Sequence, residues 1–158
     1  MKIYYREKSG GIEILRCFGM GGRVEIPGMI DDKLVISAAP YAFSSHMDEK
    51  EDLKNASLWE VSDGLEFGRE EHVLAGNDVE EIVFPYTLKE IGRYIFYGCG
   101  NLKKLEFSDS LMQIGCGAFT GCHALEKLTV HMEQGKKSGV KEMLGEMWQR
   151  IDVNFLYE

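Results

Sequence analysis

Residues 79–101, VEEIVFPYTLKEIGRYIFYGCGN, align without a gap over residues 102–124, LKKLEFSDSLMQIGCGAFTGCHA. Seven of the pairs, each 23 residues apart, are identical: Phe84/Phe107, Leu88/Leu111, Ile91/Ile114, Gly92/Gly115, Phe96/Phe119, Gly98/Gly121 and Cys99/Cys122. A third copy opens with LEKLTV at 125–130, where Leu125, Leu128 and Val130 take the places of Leu102, Leu105 and Phe107. A unit this short cannot bury its own apolar side, so neighbouring units must stack and close a core between them. A weaker copy lies upstream, VEIPGMIDDKLVISAAPYAFSSH at 24–46, in which Phe43 matches Phe96 and Phe119 and Tyr41 matches Tyr94. Its proline-to-phenylalanine distance is 16 residues instead of 11, which predicts an inserted turn at about DDKLV.

Each unit reads as a short strand, a turn, an apolar crossing and a one-turn helix. In LKKLEF the apolar Leu102, Leu105 and Phe107 point inward. Lys104 and Glu106 point outward, because successive strand side chains face opposite ways. Across the units the outward positions are Arg23 and Glu25, then Glu81 and Val83, then Lys104 and Glu106, then Lys127, Thr129 and His131. They form a mixed-charge candidate binding face. Ile91 and Ile114 fill the far side, and Phe96 and Phe119 anchor the helical turn. Gly92 and Gly115 stand where a side chain would collide or where φ must be positive.

The pattern LxxLxF…LxxIGxxAFxGCxxL resembles the leucine-rich repeat of the bacterial BspA-type family, over 24–46 and 79–130. The asparagine ladder of other leucine-rich repeats is absent, and a Gly-Cys pair stands at the equivalent turn, as in this subfamily. The resemblance implies fold more than function. Members of that family are often secreted or surface-attached, and some bind host proteins or other cells.

The fold class expected is α/β: a short leucine-rich repeat solenoid of parallel strands with capped ends, in a single domain over 1–158. Residues 1–23 supply an N-terminal hairpin cap from KIYYRE and IEILRCF around KSGG, and 24–46 the degenerate repeat. Residues 47–78 are an acidic insertion, read as a helix around 49–60 and a degenerate strand around 58–67. Residues 79–131 are the regular repeats. Residues 138–158 form a C-terminal helix–strand cap. There Val140, Leu144, Met147, Trp148 and Ile151 share one helical face, with Ser138 as N-cap and DVNFLY as a last strand.

Glycine, 18 of 158 residues with only three prolines, fits a turn-rich repeat. The net charge of −8 and the absence of a basic cluster argue against nucleic acid and anionic membrane surfaces as partners. The start MKIYYREKSGG has no apolar signal region, and no run approaches a membrane span. The expectation is therefore a cytoplasmic protein without membrane insertion, at the cell surface only if the true N-terminus is missing. Four cysteines are too few for a disulfide framework.

The stretch IGCGAFTGCH at 114–123 looks like a site, yet Ile114, Gly115, Phe119, Gly121 and Cys122 recur and are architecture. Cys99 and Cys122 share a repeat position and read as inert buried thiols. Cys116 and His123 do not recur and are expected at the surface. Cys116, Cys122 and His123 offer one loose pair and a neighbour, short of a zinc set. Gly115 and Gly117 lack the rest of a phosphate loop. His46, His72, His123 and His131 are scattered and no G-x-S-x-G occurs, so no catalytic residues, metal or cofactor are assigned. The functional expectation is a non-catalytic protein–protein interaction module, with a protein partner whose identity the sequence does not give, binding through the outward strand positions. The alternative is carbohydrate or host-surface binding by Tyr41, Tyr86, Tyr94 and Tyr97. An open edge on the last strand would allow homo-oligomerisation.

Overall fold

The computed structural model describes residues 1–46, 53–61, 71–135 and 139–157. In chain order its strands are β1 (Lys2–Lys8), β2 (Gly11–Gly19), β3 (Gly22–Glu25), β4 (Met29–Ile30), β5 (Lys33–Ala38), β6 (Ser57–Glu60) and β7 (His72–Val73). There follow β8 (Val79–Val83), β9 (Glu90–Ile91), β10 (Lys104–Ser108), β11 (Gln113–Ile114), β12 (Lys127–Met132) and β13 (Asp152–Tyr157), with one α-helix, α1 (Val140–Leu144), before the last.

The repeat becomes a parallel β-solenoid. One sheet stacks β3, β8, β10, β12 and β13, all parallel. Its inward column runs Val24, Ile82, Leu105, Leu128, Val153 in exact register, one residue per rung. On the far side β5, β9 and β11 stack in parallel through Ala38, Ile91 and Ile114. The helical turns form the third wall, where Phe96 packs on Phe43 at 6.1 Å and on Phe119 at 5.7 Å. Each rung is tied to the next by backbone bonds, Phe43 N to Ile95 O at 3.0 Å and Phe96 N to Ala118 O at 3.1 Å.

Gly92 and Gly115 owe their place to collision, not to backbone sign. A Cβ on Gly115 would stand 2.2 Å from Arg93 N, and one on Gly92 would stand 2.4 Å from Pro40 N. The left-handed positions are elsewhere in the turn, at Tyr41 (φ 60°), Tyr94 (φ 51°) and Gly117 (φ 65°), one repeat position in three rungs.

The extra residues of the first rung form a hairpin. β4 and β5 pair antiparallel across Asp31 and Asp32, both with positive φ. Two consecutive positive φ values match the twist of a two-residue hairpin turn. Lys33 to Val35 therefore lie in strand β5, and only the two aspartates turn.

The β1–β2 hairpin turns at Ser9 and Gly10, again with positive φ at both. It extends the far-side sheet: β2 runs parallel to β5, and β1 pairs antiparallel with β2 on one side and β6 on the other. A bulge at Leu15, opposite Tyr4/Tyr5, switches the alternation of β2, so that Ile12, Ile14 and Cys17 all reach the core. Arg16 is 1% exposed on the other face, where Nη1 donates to the carbonyls of Tyr41, Ala42 and Ser44 at 3.0, 3.2 and 2.6 Å. A positive charge thus closes the first helical turn.

Two expectations are corrected. The helix read around 49–60 is not formed over its described part: residues 53–55 are a turn, and Ser57–Glu60 is strand β6. The pairing partner β1 lies more than fifty residues away, so tertiary pairing overrides local helical pattern. The C-terminal helix is shorter than its apolar periodicity suggests. It ends at Leu144, because Gly145 takes φ 58°, and a 3-10 turn over Gly145–Gln149 leads into β13. Ser138, the side chain of Trp148, and residues 49–52 and 62–67 of the insertion lie outside the described residues. No described helix is long and apolar enough to cross a membrane.

Candidate functional site: the strand face and its cleft

The in-register stack turns alternate strand positions into rows of solvent-facing side chains. One row is Arg23, Glu81, Lys104, Lys127, Asp152; the next is Glu25, Val83, Glu106, Thr129, Asn154. Neighbours in a row are about 4.8 Å apart. All eight outward positions assigned from the sequence, Arg23, Glu25, Glu81, Val83, Lys104, Glu106, Lys127 and Thr129, fall in these two rows.

Their charges are not evenly neutralised. The Arg23 guanidinium sits between two carboxylates, 2.8 Å from Glu25 and 3.5 Å from Glu81. Lys104 and Lys127 stand directly opposite each other on adjacent strands, and neither has an ion-pair partner among the described residues. Like charges in that arrangement oppose strand pairing.

At the C-terminal ends of β3 and β8 the face opens into a cleft of about 670 Å³. Its position follows from the repeat. Both rungs reach proline here, Pro27 and Pro85, immediately after the last ladder bonds, Ile26 N to Val83 O and Phe84 N to Glu106 O, both 2.9 Å. Proline has no N–H to continue a ladder, so the sheet stops and the backbone diverges. Trp59 of β6 and Tyr86 line it together with Arg23, Glu25, Val83 and Glu106. Trp59 was not assigned from the sequence, because it lies in the unplaced insertion and reaches the cleft only through the pairing of β6 with β1.

His131 is 8% exposed, not an open face residue as its strand position suggested. Tyr86 and Glu106 cover it: the Tyr86 hydroxyl is 2.9 Å from Nδ1, the Glu106 carboxylate meets Nε2, and the two rings pack at 4.7 Å. Glu106 can only accept, so in the neutral imidazole Nε2 carries the proton and bare Nδ1 accepts from the phenol. The backbone of Tyr86 is held too, since Ser108 Oγ donates to its carbonyl at 3.0 Å. Tyr86 itself is 50% exposed and belongs to the strand face, not to the helical side where the other tyrosines lie.

Those other tyrosines are engaged with one another. Tyr41 and Tyr94 stack at 5.5 Å, Tyr97 meets Tyr94 edge-on at 6.0 Å, and His46 packs against Tyr97 at 4.8 Å. The Tyr41–Tyr94 and His46–Tyr97 contacts join two rungs, and the Tyr94–Tyr97 contact lies within one.

The recurring cysteines form a thiol ladder. Cys99 Sγ donates to Phe43 O at 3.2 Å and Cys122 Sγ to Phe96 O at 3.3 Å, each one rung back. Burial pushes the Cys99 thiol up to about 11 and that of Cys122 to about 12, and Cys17 likewise to about 12. A thiol held neutral is a poor nucleophile. All four cysteines are free, and Cys116 is exposed. His123 is exposed as well. Among the described residues no three metal-ligating side chains converge, and Cys116, Cys122 and His123 are no exception.

Comparison with known proteins agrees with the architecture. Residues 70–139 match the BspA type leucine rich repeat region model. A leucine rich cell surface protein from Faecalibacterium prausnitzii is similar in structure, with a TM-score of 0.52 at 18% identity over 82% of this chain and 31% of that one. A T. pallidum leucine rich repeat protein aligns at 24% identity and a TM-score of 0.40, over 98% of this chain and 79% of that one. The chain therefore spans about a third of the length of the Faecalibacterium protein. No curated protein matches the sequence. The similarity to the BspA type leucine rich repeat region, over residues 70–139 and so under half of the chain, accords with the parallel rungs described above.

Proposed function

We propose that this chain is a non-catalytic protein-interaction module that takes its partner on the strand face and in the cleft at its end. Leucine-rich repeat domains generally mediate protein–protein binding, and their fold is typically non-catalytic. The observation that carries the site is the meeting of Trp59, Tyr86 and Arg23 around one concave opening. These three residue types dominate binding energy at protein interfaces when they sit in a pocket rimmed by polar groups. The rows of Lys104, Lys127 and Thr129 continue that opening along the solenoid as a flat polar surface.

The test is an affinity capture run with the intact chain and two sets of variants. Trp59→Ala and the pair Lys104→Glu, Lys127→Glu alter the face, whereas Tyr97→Ala alters the helical side. A partner lost with the face variants and retained by Tyr97→Ala supports the proposal. A partner indifferent to the face variants refutes it.

A further inference from the structure

We infer that β13 is the contact by which two copies of this chain join, edge to edge and antiparallel, about a two-fold axis perpendicular to the sheet. The contact lies at the opposite edge of the sheet from β3, which lines the cleft, and it stands or falls independently of the strand-face reading.

The first observation is how differently the two edges of one sheet are built. At one edge β3 has four residues, a register shift between Gly22 and Arg23, two charged side chains, Arg23 and Glu25, and Pro27 just beyond. Short length, irregularity, charge and proline keep an edge strand from pairing with another molecule. At the other edge β13 has six residues, in unbroken register with β12 from Asp152 to Tyr157. Its sequence, DVNFLY, holds no proline, glycine or lysine, and its one charge is the first residue. No described strand lies beyond it. The other strands that end a sheet are shorter, four residues in β3 and β6 and two in β11.

The second is an apolar surface that the last rung leaves uncovered. Leu128, Val130 and Met132 of β12 are 0, 0 and 6% exposed. Their neighbours in β13 are Val153 and Phe155, both half-buried, and Tyr157, 59% exposed. Leu156, on the other face of the strand, is 47% exposed. A further strand beside β13 covers what β13 covers for β12.

The third is self-complementarity. Asp152 N donates to Glu126 O of the preceding rung, so the main-chain groups of Val153 and Tyr157 turn the other way, towards the open side. A partner strand must also set inward side chains against inward ones. An axis through Asn154 meets both conditions. Ile151 then faces the partner's Tyr157, Val153 faces the partner's Phe155, and Asn154 faces its own counterpart. Asp152 faces the partner's Leu156. Apolar meets apolar on the inward side, amide meets amide on the outer, and no charge opposes a like charge. The edge thus matches a copy of itself, which an unrelated strand does only by coincidence.

Area sets the strength. Six residues make an edge about 20 Å long, and two such edges with their side chains come near the lower limit of about 1,000 Å² for a specific interface. The dimer is therefore reversible, with a dissociation constant of about 1–100 μM. Its axis points both strand faces the same way, so the pair can hold a partner at two places at once.

Sedimentation velocity of the 158-residue chain, from about 1 to 300 μM, tests this. A monomer–dimer equilibrium is expected with nothing larger, since a two-fold contact closes on itself. Leu156→Lys combined with Tyr157→Lys puts two charges on the edge at exposed positions. It should weaken the dimer by about tenfold or more, with the circular dichroism unchanged. Met112→Lys, at a residue 74% exposed just before β11, should leave the dimer intact. Cross-linking reads the geometry. In a Cys116→Ser background, Asn154→Cys stands opposite its own counterpart in a non-hydrogen-bonded pair, the closer kind, and should form an intermolecular disulfide on mild oxidation. Thr129→Cys, beside Asn154 but one strand in from the edge, should not. A chain monomeric at the highest concentration overturns the inference. So does a dimer indifferent to the Leu156 and Tyr157 substitutions or lost in Met112→Lys, and so does cross-linking through Thr129→Cys in place of Asn154→Cys. Growth into open-ended oligomers excludes the two-fold contact as well.

Discussion

Replacing Gly115 by alanine adds one methyl group, and its cost can be worked from the rung spacing. The new Cβ would lie 2.2 Å from Arg93 N, 2.5 Å from Arg93 Cα and 2.6 Å from the Gly92 carbonyl carbon. All three are backbone atoms of the rung below, so no side chain can swing aside. Reaching ordinary contact at about 3.4 Å requires the rungs to part by roughly 1 Å, since packed interiors tolerate little compression. The bonds that cross this gap are Gly115 N to Ile91 O at 2.8 Å and Tyr94 N to Cys116 O at 3.1 Å. Parting the rungs breaks or lengthens both, at about 0.5–1.5 kcal/mol each. Overpacking adds about 1–3 kcal/mol. Gly115→Ala should therefore destabilise by about 2–6 kcal/mol, a large part of a typical domain's stability. Urea unfolding followed by far-ultraviolet circular dichroism reads this as a lower midpoint at unchanged slope. Gly139→Ala is the control, because a Cβ there meets nothing within 4 Å and its φ is −84°. A Gly115→Ala protein within about 0.5 kcal/mol of the parent, the scatter expected of a neutral surface change, would show that the rungs are not held by this backbone contact.

Phe96→Ala removes the centre of the ring stack between Phe43 and Phe119 and should cost about 3–5 kcal/mol in urea unfolding. Phe119→Ala, half-buried at the end of that stack, should cost clearly less. Arg16→Met keeps the volume but strips three carbonyls of their donor, so a loss of about 2–4 kcal/mol is expected, partly restored by Arg16→Lys. Native protein at pH 8 should react with one equivalent of maleimide, at Cys116, and unfolded protein with four. The buried thiols also fix a pH profile. Their folded values, about 11 to 12, lie above the ordinary 9.0, so the unfolded chain loses those protons first. Their contribution is full below pH 9 and is lost as pH rises towards the folded values; a urea midpoint that stays flat from pH 8.5 to 10.5 would contradict this.

The solenoid was legible because stacking makes sequence and space coincide. Leu105 touches Ile82 and Leu128 in the same column, so a similar side chain must recur at each step of the chain. Gly92 and Gly115 recur for the same reason, each lying under a backbone that leaves no room for Cβ. The two rows of the strand face follow directly from that register. Features set by distant pairing left no such trace. Strand β6 forms where β1 lies beside it, and its residues read both as the end of a helix and as the start of a degenerate strand, which the pairing decides. The burial of Glu13, at 2% exposure, needs Arg6 and Lys8 from β1 and Ser37 from β5. Nothing local announces a bulge at Leu15 or the inward course of Arg16.

The cleft combines both kinds of information, and this locates where the rungs cease to be equivalent. Pro27 and Pro85 occupy one column, and Ser108 and His131 continue it. The next column runs Gly28, Tyr86, Asp109. A stack needs repetition in its inward columns, and these two columns stand at the strand ends, where the inward requirement lapses. Substitution is free there as far as the core is concerned, so proline can end a ladder, tyrosine can flank the opening and histidine can link two rungs at no cost to packing inside. Trp59 is added from outside the repeat altogether. Architecture therefore occupies the columns that recur, and recognition chemistry gathers where recurrence stops. By that criterion Cys116 and His123, which also fail to recur, are candidates too, yet both stand exposed, away from the cleft, with no converging partners to make a metal site. Loss of recurrence marks a position free to vary; concavity and convergent side chains decide whether the freedom has been used, and at Tyr86, Glu106 and His131 they meet within hydrogen-bond reach.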